Sequence, residues 1–188
     1  NAITIATNNV TIDCNHFKIG GLAAGDGSLA IGIRADARRN ATVRQCNIRG
    51  FFAGIDLQGG SGHLVEDNRL DNNLYVGIRV SGTGNRIQGN RIHDTGGATR
   101  NIHNSVSWGI HASADIIDNT ISGVYSTATD TYPRGIFINA GYGFEVRGNR
   151  IRGLVVDGSG HGYGIVGIAT DSAIVDNRVS SSIPGYGI

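Results

Sequence analysis

The sequence predicts an all-β solenoid, a chain wound into stacked coils of three short strands, and three observations carry that expectation. An asparagine-centred motif returns along the chain as VEDNRL, IQGNRI, IIDNTI, VRGNRI and IVDNRV. A Gly-Ile dipeptide alternates with it from Gly32-Ile33 to Gly187-Ile188. The segments that carry both motifs are short, β-branched and alternating, as in GIRV and GIFIN, and no run is long enough for a helix.

The asparagine motif sets the coil length. Its central position is held by Asn15, Cys46, Asn68, Asn90, Asn119, Asn149 and Asn177, at spacings of 31, 22, 22, 29, 30 and 28 residues. A minimum period of 22 with variable insertions suits a coil with loops of different length. Leucine-rich repeats have a similar period but need a Leu-rich consensus, whereas these repeats use Ile and Val. The first strand of each coil is expected to carry Gly-Ile. The second ends at the Val or Ile three places before the ladder position, and the third starts at the apolar residue two places after it.

Stacking places equivalent positions about 4.8 Å apart. An inward Asn at each corner can then bond the turn backbone and the Asn of the next coil, satisfying polar groups that the turn would otherwise bury unpaired. Cys46 takes one rung as a small buried residue, and Cys14 adjoins the neighbouring rung, so a disulfide is conceivable; the sequence leaves the redox state of the pair open.

The stretch NNVTIDCNHFKIGG and the GI…NRI coils after it resemble the right-handed parallel β-helix repeat proteins of the pectin-lyase-like superfamily, over essentially all 188 residues. The resemblance implies a right-handed parallel β-helix of about seven coils with an asparagine ladder. It also implies a setting among polysaccharide lyases, polygalacturonase-type hydrolases, alginate epimerases, phage tailspikes and adhesins. Relatives that act on polysaccharides hold the substrate in a groove over the Gly-Ile sheet. Their acidic metal-binding and Asp-rich catalytic signatures are not present here, so no catalytic residue is carried over.

Bulk properties narrow the class. A length of 188 residues with 30 glycines and few aromatics suits one domain, taken as residues 1–188. The chain has no Met, begins in a strand-like run and stops at Gly187-Ile188, where another coil would start. A processed chain or a fragment lacking caps at one or both ends is therefore expected, with oligomerisation through uncapped ends open to it. The net charge of +1 gives no global pull toward nucleic acid or membrane, no segment reads as a membrane span, and neither cofactor nor metal site is expected.

Candidate chemistry follows from the outward columns. On the first strand these are Arg34, Asp56, Arg79, His111, Phe137 and Val166, then Asp36, Gln58, Ser81, Ser113 and Asn139 two places on. Loops at 93–107, 122–133 and 152–161 would wall a groove along that sheet. Arg34, Asp56, Arg79 and His111 form the candidate catalytic cluster. A uronate lyase needs a base and cations beside the substrate carboxylate, while a glycosidase needs two acids, for which only Asp36 and Asp56 are at hand. The bland reading is an alternating salt-bridge ladder with an exposed His. His93, His103 and His111 could approach one another but lack metal-ligand spacing. Trp108 could stack on a sugar, as could Phe137 beside it; its place before Gly109, matching Ile31, Ala53 and Val76, favours core packing.

The third strand carries the outward columns His16, Asn47, Arg69, Arg91, Thr120, Arg150, Arg178 and Lys18, Arg49, Asp71, His93, Ser122, Arg152, Ser180. Seven Lys/Arg against one acid on a nearly neutral protein suit an anionic polymer, with Arg69, Arg91, Arg150 and Arg178 as binding residues. Like charges also discourage a flat sheet from aggregating, and Glu66, Asp67, Asp118 and Asp176 are near enough in sequence to pair with these arginines. An acidic polysaccharide suits the stripe better than DNA, since aromatic interleaving is lacking. The expected function is an extracellular or cell-surface domain that binds or processes polysaccharide, with a lyase or hydrolase as its enzymatic form. The alternative is a non-catalytic structural or adhesive module of a tailspike-like fibre protein. Ice binding is disfavoured because the outward columns are mixed.

Overall fold

A computed structural model describes residues 1–25, 27–96, 106–126, 131–156, 159–181 and 185–188. The described chain forms three parallel sheets, each built from strands of successive coils. The first has eight strands, from Ile3–Ile5 to Gly185–Tyr186, and the second and third have seven each. One short 3₁₀ turn, Leu22–Ala24, is the sole helical element among the described residues. Ile3–Ile5 adds a first-sheet strand ahead of the first Gly-Ile pair.

The register repeats coil on coil. Ile33, Ile55, Ile78, Ile110, Ile136 and Ile165 stack in the first sheet, and all are at most 2 % exposed. Ile48, Leu70, Ile92, Ile121 and Ile151 stack opposite in the third. Burying each contributes about 1.5–3 kcal/mol of transfer free energy. The Gly of the Gly-Ile pair is a matter of space. A Cβ on Gly109 would lie 2.6 Å from both Ile121 Cγ2 and the Gly135 carbonyl of the next coil, closer than atoms can approach.

The corner between the second and third sheets holds the ladder. Asn90 Oδ1 accepts from the Asn68 backbone and Nδ2 at 3.0 Å each, and Asn119 Oδ1 does the same for Asn90. Each Nδ2 also donates to a second-strand carbonyl, as Asn90 does to Val65 at 2.9 Å. The series continues through Asn149 to Asn177. The residue before each ladder Asn has a left-handed φ: 52° at Asp67, 66° at Gly89 and 54° at Asp118. That conformation suits Gly and the short polar residues, which is why DN and GN recur in the motif.

Three expectations need correction. Asn15 is not a rung. Four residues separate Asp13 from Lys18, against two between Arg44 and Asn47, and this longer turn brings Cys14 to the corner and leaves Asn15 exposed. Cys14 and Cys46 are disulfide-bonded, so a covalent link joins the first two coils where amides join the others. Closing a loop with a separation of 32 residues contributes about 3–4 kcal/mol by chain entropy. The same shift puts Lys18, not His16, opposite Asn47, and Gly20 opposite Arg49. Finally, much of what reads as loop is strand: Thr120–Ser126 and Arg150–Val156 in the third sheet, Val106–Ala112 and Tyr132–Ile138 in the first. Asp94, Gly123 and Gly153, all with left-handed φ, stack to bend the third-sheet strands before they continue.

Candidate functional site

Two outer faces hold the candidate residues. On the first sheet the column Arg34, Asp56, Arg79, His111, Phe137, Val166 stands in the expected register. Its charged members Arg34, Asp56 and Arg79 are all paired. Asp56, 2 % exposed, takes a bidentate bond from Arg79, with Nε–Oδ1 at 2.8 Å and Nη2–Oδ2 at 2.5 Å. Hydrogen bonding to Asp56 raises the Arg79 pKa, so the pair is a stable ionic unit. Arg34 reaches Asp36 on its own strand at 3.4 Å, an exposed contact of little energetic weight.

His111 is half-buried, and burial, reinforced by Arg79 and Arg134, lowers its pKa to about 4. At neutral pH it is uncharged and only weakly basic, whereas a general base works best with a pKa near the operating pH. Among the described residues its buried Nδ1 has no hydrogen-bond partner, and neither has Trp108 Nε1.

What the column does build is aromatic. Phe52 stacks on Tyr75 at 4.8 Å, Tyr75 meets Trp108 edge-on at 4.8 Å, and His111 lies 4.9 Å from both Trp108 and Phe137. Arg134 sits over Phe137 at 4.8 Å. Farther along, Tyr163 stacks with Tyr186 at 5.3 Å. Trp108 does lie in the column of Ile31, Ala53 and Val76, but that column forms a small apolar cluster apart from the main core, with Phe52, Tyr75 and Trp108 packed half-exposed on it. The Gly that follows Trp108 has no room for a side chain, and because Gly109 and Ile110 are buried in succession, strict inward–outward alternation breaks there.

On the third sheet, Arg69, Arg91, Thr120, Arg150 and Arg178 stack in one file and Asp71, His93, Ser122 and Arg152 in the next. Arg49 pairs with Asp71 at 3.7 Å. Arg69, Arg91, Arg150, Arg152 and Arg178 are exposed and make no ion pair among the described residues. Glu66 instead accepts a bond from Gln88, and Asp118 and Asp176 act on Arg147 of the second sheet. Shallow concavities of about 240–400 Å³ lie between the side chains of this face.

The histidine trio does not assemble among the described residues: His93 stands on the third sheet, bonded to Ser122 at 3.0 Å, and His111 on the first, while His103 lies outside them. So do the central parts of the expected groove walls, 97–105, 127–130 and 157–158. Sequence reasoning missed a second polar ladder at the corner between the first and second sheets. There His63, 1 % exposed, bonds the Ala41 backbone through Nδ1, and Asn85 Oδ1 accepts from the His63 backbone at 3.0 Å. Its members differ in type, so no repeated letter marks it.

A family model described as "Right handed beta helix region" matches residues 1–134. No curated protein and no solved structure matches the chain.

Proposed function

The chain belongs to the right-handed beta helix family, and from that premise we propose that it is an extracellular or cell-surface module that binds polysaccharide along the outer face of its first sheet without cleaving it. The observation that carries this reading is the run of touching rings from Phe52 through Tyr75, Trp108 and His111 to Phe137, aligned with the axis of the solenoid. Sugar rings present apolar C–H faces that lie flat on aromatic surfaces, and half-buried rings held by their neighbours lose little freedom on binding. The resemblance to the pectin-lyase-like superfamily supports a saccharide as the ligand, and the Cys14–Cys46 disulfide supports an oxidising, extracellular setting.

Binding rather than catalysis is favoured because Asp56 is locked to Arg79 and His111 is a weak base. A screen against neutral and acidic polysaccharides, with product analysis, tests both halves. Binding is expected to at least one glycan, weakened about tenfold or more in Trp108→Ala or Phe137→Ala variants whose melting is little changed. Release of unsaturated uronates that disappears in His111→Ala would replace this reading with a lyase. Absence of binding to every glycan would favour a structural or adhesive module.

A further inference from the structure

The third sheet, turned away from the proposed saccharide face, carries a charge distribution that the first proposal does not use. Its exposed cations stack along the solenoid axis, from Lys18 to Arg178, over roughly 29 Å at sheet spacing. Like charges one coil apart repel and destabilise such a face when nothing neutralises them. Among the described residues Glu66 bonds Gln88, Asp118 and Asp176 act on Arg147, and the single acid within the file, Asp71, is spent on Arg49, while Asp67 borders the depression beside Arg69 and Arg91 without an ion pair to either.

The surface between the cations is hollow. Two depressions of about 250 and 400 Å³ share Thr120 and Arg152. Arg91 closes the first, and Arg150 and Arg178 line the second. Thr120 offers a hydroxyl donor between guanidinium forks, the combination that receives carboxylate or sulfate oxygens.

We propose that this file is a second binding surface, for a linear acidic polysaccharide laid along the axis of the solenoid, with its acidic groups seated around Arg91, Thr120, Arg150 and Arg152. The shape of the face selects that occupant. A file one or two side chains wide follows a single chain and not a plane, as a lipid surface would require. Among the described residues no helix or ribbon projects from the sheet to enter a duplex groove. Among the described residues no Phe, Tyr or Trp stands in these files to stack on unpaired bases, and His93, bonded to Ser122, is the one ring there. With a saccharide on the first sheet and a polyanion on the third, the domain would bridge two chains.

Binding of the intact chain to polygalacturonate and to dextran sulfate, each compared with its uncharged counterpart (methyl-esterified polygalacturonate and dextran), tests the proposal. Retention at low salt by one or both charged chains is expected, weakening steeply as salt rises. The double variant Arg91→Glu, Arg150→Glu is expected to weaken that binding about tenfold or more, with unchanged circular dichroism and unchanged behaviour toward any glycan that Trp108→Ala affects. Failure of the charged chains to bind, or equal binding by the double variant, would overturn the proposal, as would preference for single-stranded DNA or anionic vesicles over both. Trp108→Ala leaves the acidic-chain binding intact, so failure of either surface is distinguishable from failure of the other.

Discussion

The outer faces of the first and third sheets are built from the same repeat at the same spacing, yet they have opposite electrostatic characters. On the first, opposite charges fall on successive coils, so Arg79 clamps a nearly inaccessible Asp56, and the coils that follow replace charge with rings. On the third, like charges fall on successive coils and stay exposed without acidic partners among the described residues. The difference teaches that a solenoid face is written coil by coil: a column that alternates in sign closes on itself, and one that repeats a sign is left for an outside partner.

The sharpest way to break the comparison is to remove the counter-ion on the closed face. Asp56→Ala leaves a half-buried Arg79 unpaired and is expected to cost about 3 kcal/mol in denaturant unfolding. A loss near zero would show that the two faces differ less than their geometry implies. Asn90→Leu attacks the corner that precedes the third-sheet strand and leaves turn backbone unpaired, at an expected cost of roughly 1–3 kcal/mol. Unchanged stability would mean that the ladder amides are not sequestered from water.

A smaller effect concerns pH. The His111 pKa is lowered from 6.5 to about 4 in the folded protein, chiefly by burial. Between those values the unfolded chain binds a proton that the folded chain refuses, so the stabilisation is complete above about pH 6.5 and is lost as pH falls toward 4. The ring is partly open to solvent, so the contribution is about 1 kcal/mol after screening. Imidazole NMR should place the His111 midpoint near 4; an ordinary midpoint would mean that the ring is not held as described. Least of all, Arg178→Ala on the open face should shift stability by no more than about 0.5 kcal/mol, since its guanidinium has no ion pair among the described residues. A larger loss would put it in a structural role.

Much of this architecture was legible in the sequence because the solenoid makes register a matter of counting. The Asn68–Asn177 rungs, the Ile stacks and the outward files of both faces follow from the spacing of two short motifs. The first coil was not legible: Asn15 mimics a rung, and only the two extra residues of its turn reveal that Cys14 holds the corner. The DN and GN pairs were available as a signal of left-handed corners. The ladder of His63 and Asn85 was not, because its rungs share a place and not a residue type.

By itself, then, the amino-acid order determined how the chain winds and which side chains share a vertical file, since both depend on local strand geometry and on the in-line repetition of coils. Which of those files are open was decided in three dimensions. Burial of Asp56 beneath Arg79, the half-exposed seat of Trp108 outside the core and the lack of an ion pair at Arg91 and Arg150 among the described residues depend on where side chains from separate coils come to rest. Free energies of desolvation and pairing are properties of those packed surroundings, and no repeat motif encodes them.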